Sequence, residues 1–191
     1  VYAIRYRRIL ALALAVVQLA LVCTFEVLVA PQQVSVSNAI YIDTFSTIMA
    51  LIIGIIGCGI CIYALGYMED FSSHDPKNAP RVNRFFALMF LFLSAMFGIV
   101  LFNDLVWMFT AWEVTTLCSF LLIGFTRTDE AIANSFRQIV MNMLGGIAFS
   151  IALITLGLGG GALELDALVC GGALGAYAFP IALLAFAAIT K

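Results

Sequence analysis

The sequence predicts an all-α bundle of about six transmembrane helices, and three observations lead there. Hydrophobic residues make up 64% of the chain and charged residues 10%, with a mean hydropathy of +1.11, so the bilayer rather than water is its solvent. Six stretches approach the ~20 apolar residues that a helix needs to cross the hydrocarbon core. The basic residues then alternate from one connection to the next, as the flanks of a multi-pass protein do. A formal charge of −2 leaves no basic footprint for nucleic acid.

The stretches are Ile9–Val29, Ile42–Leu65, Phe85–Phe102, Leu105–Phe125, Ile139–Leu158 and Ala167–Thr190. The N-terminal flank carries Arg5, Arg7 and Arg8, the Gly66–Arg84 connection Lys77, Arg81 and Arg84, and the Thr126–Gln138 connection Arg127 and Arg137. The other connections, Ala30–Tyr41, Asn103–Asp104 and Gly159–Asp166, hold no lysine or arginine. Eight of the nine basic residues thus fall on one side, which the positive-inside rule makes cytoplasmic. The expected location is the inner membrane of a prokaryote. The chain opens on Val1 without an initiator methionine and stops at Lys191 directly after an apolar run, so it is expected to be a fragment of a longer one.

Some features lead nowhere chemical. Cys58 and Cys61 form a C-x-x-C inside an apolar run beside Gly54, Gly57 and Gly59, with no second pair to complete a four-thiolate site, which reads as small-residue helix packing. Cys23, Cys118 and Cys170 are scattered through spans, where thiols behave as small hydrophobes. His74, the single histidine, falls in the polar Phe71–Asn78 stretch and reads as an exposed loop residue. The Gly157–Gly161 cluster is a turn, since no Lys-Ser/Thr follows it. Glu26 sits near the end of its span and reads as interfacial.

Glu113 is different. It is the single acid or base inside Leu105–Phe125, and a charge at the bilayer centre costs roughly 2.5 to 3.5 kcal/mol on insertion scales. The usual uses are an ion or proton path, a ligand counter-ion or a buried pair; helix glue is the bland alternative. Thr116 lies one turn on and can share its face, and Thr115 and Ser119 form a small polar pair. The next helix brings Arg137 at its entrance, read either as a snorkelling anchor or as part of a relay, and Asn142 deeper in, read either as a water-holding group or as a helix contact. The last stretch carries Pro180 and a Gly171–Gly172 pair, breakers that often mark discontinuous helices near ion sites. Hydropathy leaves Lys191 either on the cytoplasmic flank or, where the helix continues past it, inside the bilayer. In the second case burial disfavours its ammonium and a nearby carboxylate favours it, so a Glu–Lys pair can exist in two charge states.

The run Trp112-Glu113-Val114-Thr115-Thr116-Leu117-Cys118-Ser119-Phe120-Leu121-Leu122-Ile123-Gly124-Phe125, preceded by Asn103-Asp104 and Arg84-Phe85-Phe86-Ala87, resembles the antiporter-like ion-translocating subunits. These occur in respiratory complex I, Mrp-type sodium/proton antiporters and energy-converting hydrogenases. Tyr41-Ile42-Asp43 and Gly66-Tyr67-Met68 extend the resemblance, which covers roughly Tyr41 to Lys191.

The resemblance implies two inverted five-helix repeats, each with a broken helix, and an acid paired with a lysine on the broken helix two spans later. By that pattern Glu113 and Lys191 are the proton-relay pair, with Thr116, Asn142 and Arg137 as candidate relay or entrance groups. Residues 1–40 would be an N-terminal helix and 41–191 part of the first repeat, truncated in its broken helix. Where the complex I pattern tends to Glu-Gly-Val-Gly this chain has Glu113-Val114-Thr115-Thr116, and where that pattern tends to an arginine and an aspartate it has Met143-Leu144-Gly145-Gly146.

Both departures resemble the hydrogenase branch. The expected function is therefore a proton-translocating, or sodium-translocating, membrane subunit of an energy-converting hydrogenase-type complex, with complex I or a stand-alone Mrp-type antiporter as the alternatives. A passive anchor is a third reading, in which Glu113→Gln changes assembly but not pumping. The chain itself is expected to hold no cofactor; Fe–S clusters, with NiFe or flavin, would belong to partner subunits in a peripheral redox arm, alongside further membrane subunits.

Overall fold

The computed structural model describes residues 40–42, 44–74, 79–170 and 177–191. The Ile9–Val29 span with Cys23 and Glu26, the N-terminal arginines, Lys77 and the Gly171–Gly172 pair lie outside the described residues. So do the side chains of Cys58, His74 and Cys170.

Among the described residues six α-helices follow in order: α1 Thr44–His74, α2 Ala79–Leu101, α3 Leu105–Ile123, α4 Asp129–Leu158, α5 Leu165–Cys170 and α6 Ala178–Thr190, with a 3-10 turn at Gly124–Thr126. Four of them are long and apolar enough to cross a membrane. The chain is an all-α, multi-pass membrane protein. Among the described residues, extended pairing is confined to two isolated bridges, Ile40 with Phe102 and Asp104 with Glu164.

The helices overrun their apolar stretches. α4 has 30 residues, about 45 Å of helix, and begins ten residues before the apolar run at Ile139. Arg137, placed by sequence in a connection, is therefore on the helix. α1 likewise continues through His74, so the stretch read as a loop from Phe71 is helical as far as His74. Hydropathy marks the portion that lies in hydrocarbon, whereas the backbone ladder continues into the headgroup region where polar side chains are solvated.

Local chemistry sets the remaining ends. Asp104, in an extended conformation, caps α3 by accepting from the amides of Val106 at 2.8 Å and Trp107 at 3.1 Å. Thr128 caps α4 by accepting from Ala131 N, and Asp129 and Glu130 in its first turn complement the helix dipole. The far end of α4 closes through Gly160, whose φ of +66° favours glycine, with Gly161 N donating to Leu156 O. Pro180 lies in the first turn of α6, where its missing N–H leaves no ladder bond unmade.

The stretch read as one span, Ala167–Thr190, is thus described as α5 and α6, with residues 171–176 outside the described residues. α6 has 13 residues, about 20 Å, and runs antiparallel to α4. The core is a wall made by α3, α4 and α6: Leu105 and Phe109, Ala148, Phe149, Leu153 and Leu156, and Ala187, closed at one end by Leu163. Phe149 packs its ring against both Phe109 and Trp112.

Two connections are laced together at that end. Asn103 Nδ2 donates to Asp166 Oδ1 at 2.8 Å, Asp166 N donates back to Asn103 Oδ1 at 3.1 Å, and Leu165 N donates to Asn103 O. Leu105 N donates to Leu163 O. Asn103 and Asp104 are both buried; these bonds satisfy Asn103, and the cap amides of Val106 and Trp107 occupy Asp104 Oδ1. The clasp fixes the start of α3 against the loop that follows α4, and so sets the height at which the mid-membrane residues of α3 face α6.

A cation site on one turn of α3

Residues 112, 115, 116 and 119 recur at i+3 and i+4 and share one face of α3. The structure turns this face toward the end of α6. Lys191 follows the last helical residue there, and its Nζ donates to the Trp112 carbonyl at 3.0 Å, to Thr115 Oγ1 at 2.6 Å and to Thr116 Oγ1 at 2.9 Å. All three ammonium donors are thereby used. The Trp112 ring adds its face, 4.6 Å from Nζ.

Thr115 and Thr116 are buried, at 0% and 3% exposure, while Lys191, which reaches them, is exposed. Both hydroxyls donate back to the Trp112 carbonyl, at 2.7 Å and 3.2 Å. Each hydroxyl proton is thus committed to the backbone and each lone pair is presented to the lysine. The Glu113 carboxylate, half-buried on the neighbouring face, lies within electrostatic reach of the ammonium, and its Oε1 is enclosed.

α6 gets close enough because of one glycine. A side chain at Gly145 on α4 would meet Thr190 Oγ1 and, at 3.3 Å, the carbonyl of Ala187. Gly145 therefore sets the separation of α4 and α6 directly beside Lys191, while Ala187 is fully buried in the wall. The Lys191 contacts fall about 10 to 16 Å along α3 from its start at Leu105, near the middle of a ~30 Å hydrocarbon core.

Of the residues singled out by sequence, the structure brings Glu113, Thr116 and Lys191 together. Asn142 is buried on α4, three residues before Gly145. Arg137 is exposed on the same helix, about 12 Å along the axis from Gly145, and takes no part in the lysine's hydrogen bonds. Sequence reasoning passed over three groups: Thr115, which it paired with Ser119 for packing, the Trp112 carbonyl, and Gly145. The i+3/i+4 register from Trp112 was the available signal for the first two.

Comparison with known proteins agrees with this architecture. The family described as NADH-Ubiquinone oxidoreductase (complex I), chain 5 N-terminus, matches residues 28–86, and NADH:quinone oxidoreductase/Mrp antiporter, TM, matches residues 102–191. The chain belongs to this antiporter-like family.

Similar relatives include the A1 subunit of the Na(+)/H(+) antiporter of Staphylococcus haemolyticus, 30% identical over 68% of this chain and 15% of that protein. The A/B subunit of a probable K(+)/H(+) antiporter of Rhizobium meliloti is 34% identical over 68% of the chain and 12% of its own length. NAD(P)H-quinone oxidoreductase chain 5 of Synechocystis sp. is 33% identical over 76% of the chain and 21% of its own length. The chain therefore spans less than a quarter of the length of these relatives. No solved structure matches. The antiporter-like match over residues 102–191 contains all of α3, α4 and α6, and so every residue of the Lys191 site.

Proposed function

We propose that this chain is part of the ion-translocating membrane subunit of a multi-subunit complex, of the kind shared by Mrp-type antiporters and complex I, and that it moves protons through Glu113 and Lys191. The observation that carries this is the Lys191 ammonium, held at mid-membrane depth on α3 by Trp112, Thr115 and Thr116 with the Glu113 carboxylate within reach. Intramembrane charges of opposite sign on facing helices mark ion and proton paths. Residues 41–191 would form part of the first of two repeats, with the Arg/Lys-bearing connections facing the cytoplasm of a prokaryote. Asn142 supplies a buried amide near the path, and Arg137 an exposed cation on the helix that leads to it. Redox centres, where the complex has them, belong to its other subunits.

A hydrogenase-type complex is the second reading. It rests on Glu113-Val114-Thr115-Thr116 and Met143-Leu144-Gly145-Gly146, which depart from the complex I pattern.

The test is purification of the intact complex by way of this chain, reconstitution into vesicles and measurement of proton movement. Proton uptake driven by a sodium or potassium gradient alone identifies the antiporter type; movement that requires quinone reduction identifies the complex I type; movement coupled to hydrogen evolution, with nickel bound, identifies the hydrogenase type. In each case Glu113→Gln is expected to stop transport while the complex still assembles. Transport at the wild-type rate in Glu113→Gln would refute the reading.

A further inference from the structure

α3 and α6 meet at Lys191, and both helices begin against the same short stretch of chain, residues 159–166. On the α3 side Leu105 N donates to Leu163 O at 2.9 Å, Asp104 pairs with Glu164, and the Asn103 side chain exchanges two bonds with Asp166. On the α6 side Tyr177, which immediately precedes the helix, seats its ring against Gly161, where a Cβ would stand 3.1 Å from it. Thr116 lies 11 residues after Leu105, and Thr190 lies 12 after Ala178. At a rise of about 1.5 Å per residue, the two helices therefore carry these residues to nearly equal depth, about 16 and 18 Å from their starts. The level at which Lys191 meets Thr115 and Thr116 is thus set where the helices begin.

Backbone bonds bring residues 103–105 and 163–165 together, and the Asn103–Asp166 pair fixes their register. Its two bonds run in opposite senses, Asn103 Nδ2 to Asp166 Oδ1 at 2.8 Å and Asp166 N to Asn103 Oδ1 at 3.1 Å, so they close only when residues 103 and 166 stand opposite each other. Asn103 is 3% exposed, and a buried amide left without these partners would be costly. We infer that Asn103 and Asp166 are positioning residues for the Lys191 site: by holding the start of α3 to the stretch against which α6 also starts, they set the level of the Thr115 and Thr116 hydroxyls relative to the lysine. They touch no ion and act through α3. The inference deepens the reading of Glu113 and Lys191 given above and rests on it. A misplacement of about 1 Å, less than the rise of one helical residue, can lower the rate at a reacting group by about 10²-fold.

The experiment is proton transport per assembled complex, in vesicles holding the purified intact complex, for Asn103→Ala, Asn103→Asp, and Asn103→Asp combined with Asp166→Asn. Asn103→Ala deletes both side-chain bonds, and Asn103→Asp sets two carboxylates against each other. The combined variant exchanges the two side chains and re-forms the pair with its side-chain donor on residue 166. Each single variant is expected to lower transport per complex by about tenfold or more, and the combined variant to restore it to within about twofold of the wild type. Asn103→Ala carries the comparison where the paired carboxylates prevent assembly. A merely structural role would reduce the amount of assembled complex and leave its rate unchanged; that result overturns the inference, as does a loss of rate that the exchanged pair does not restore. Glu113→Gln is measured in the same vesicles. Wild-type transport there overturns the proton path itself, whereas transport lost in Glu113→Gln and unaltered in Asn103→Ala overturns the positioning role alone.

Discussion

α1 and the wall of α3, α4 and α6 are made of similarly apolar sequence, yet they are used in opposite ways. α1 presents Leu51, Ile55, Ile56 and Ile60 outward, with Ile55 72% exposed, and it packs mainly against α2. On α4, by contrast, Asn142, Gly145, Gly146, Ser150 and Ala152 are all buried. In lipid there is no hydrophobic drive to bring two apolar faces together, so helices associate through small residues and hydrogen bonds instead. The outward face of α1 is lipophilic, whereas the contacts that hold Lys191 are made by a backbone carbonyl and two hydroxyls on α3.

That contrast can be broken at several points, and the largest effect is expected at the lysine itself. Lys191→Ala removes the group proposed to hand on the proton and should lower proton transport by on the order of 10²-fold or more, with the complex intact on a native gel. Near-normal transport would make the wall a scaffold only. Gly145→Val comes next. Its side chain collides with Thr190 and the Ala187 carbonyl, and overpacking of this kind costs about 1 to 3 kcal/mol. The complex should lose thermal stability and transport together, because displacing α6 draws Lys191 away from Thr115 and Thr116.

Asp104→Ala removes the cap of α3 and should cost about 1 kcal/mol, read as a lower unfolding midpoint in detergent with transport reduced less than in the Gly145 variant. Smallest is Ile55→Val on the exposed face of α1. It should change stability by less than about 0.5 kcal/mol and leave transport unaltered. An effect as large as that of Asp104→Ala would mean that this face is covered in the assembled protein.

How much of this could be read from the sequence follows the same division. The four spans of α1 to α4 were legible because hydropathy reports what lipid demands, and Glu113 stood out because a lone charge in a span is costly. The helix ends were not: α1 reaches His74 and α4 starts at Asp129, where the backbone stays helical in a region that composition reads as loop. The clasp between Asn103 and Asp166 joins residues 63 apart, and no local pattern announces it. Thr115 and Thr116 differ by about 100° around the helix, and only the approach of α6 shows that the lysine falls between them. Gly145 looked like a departure from a pattern; its role as the contact that admits α6 depends on Thr190 and Ala187, two helices away in the chain.

The account stands on Glu113 and Lys191 acting as one unit, and a double-mutant cycle on proton transport tests that most directly. Glu113→Gln, Lys191→Ala and the combined variant would be compared in the same reconstituted complex. Residues that act together are grossly non-additive, so the combined variant is predicted to transport no more slowly than the slower single variant. Losses that multiply, with the combined variant slower by the product of the two single effects, would show that the two residues work independently and would contradict the central claim.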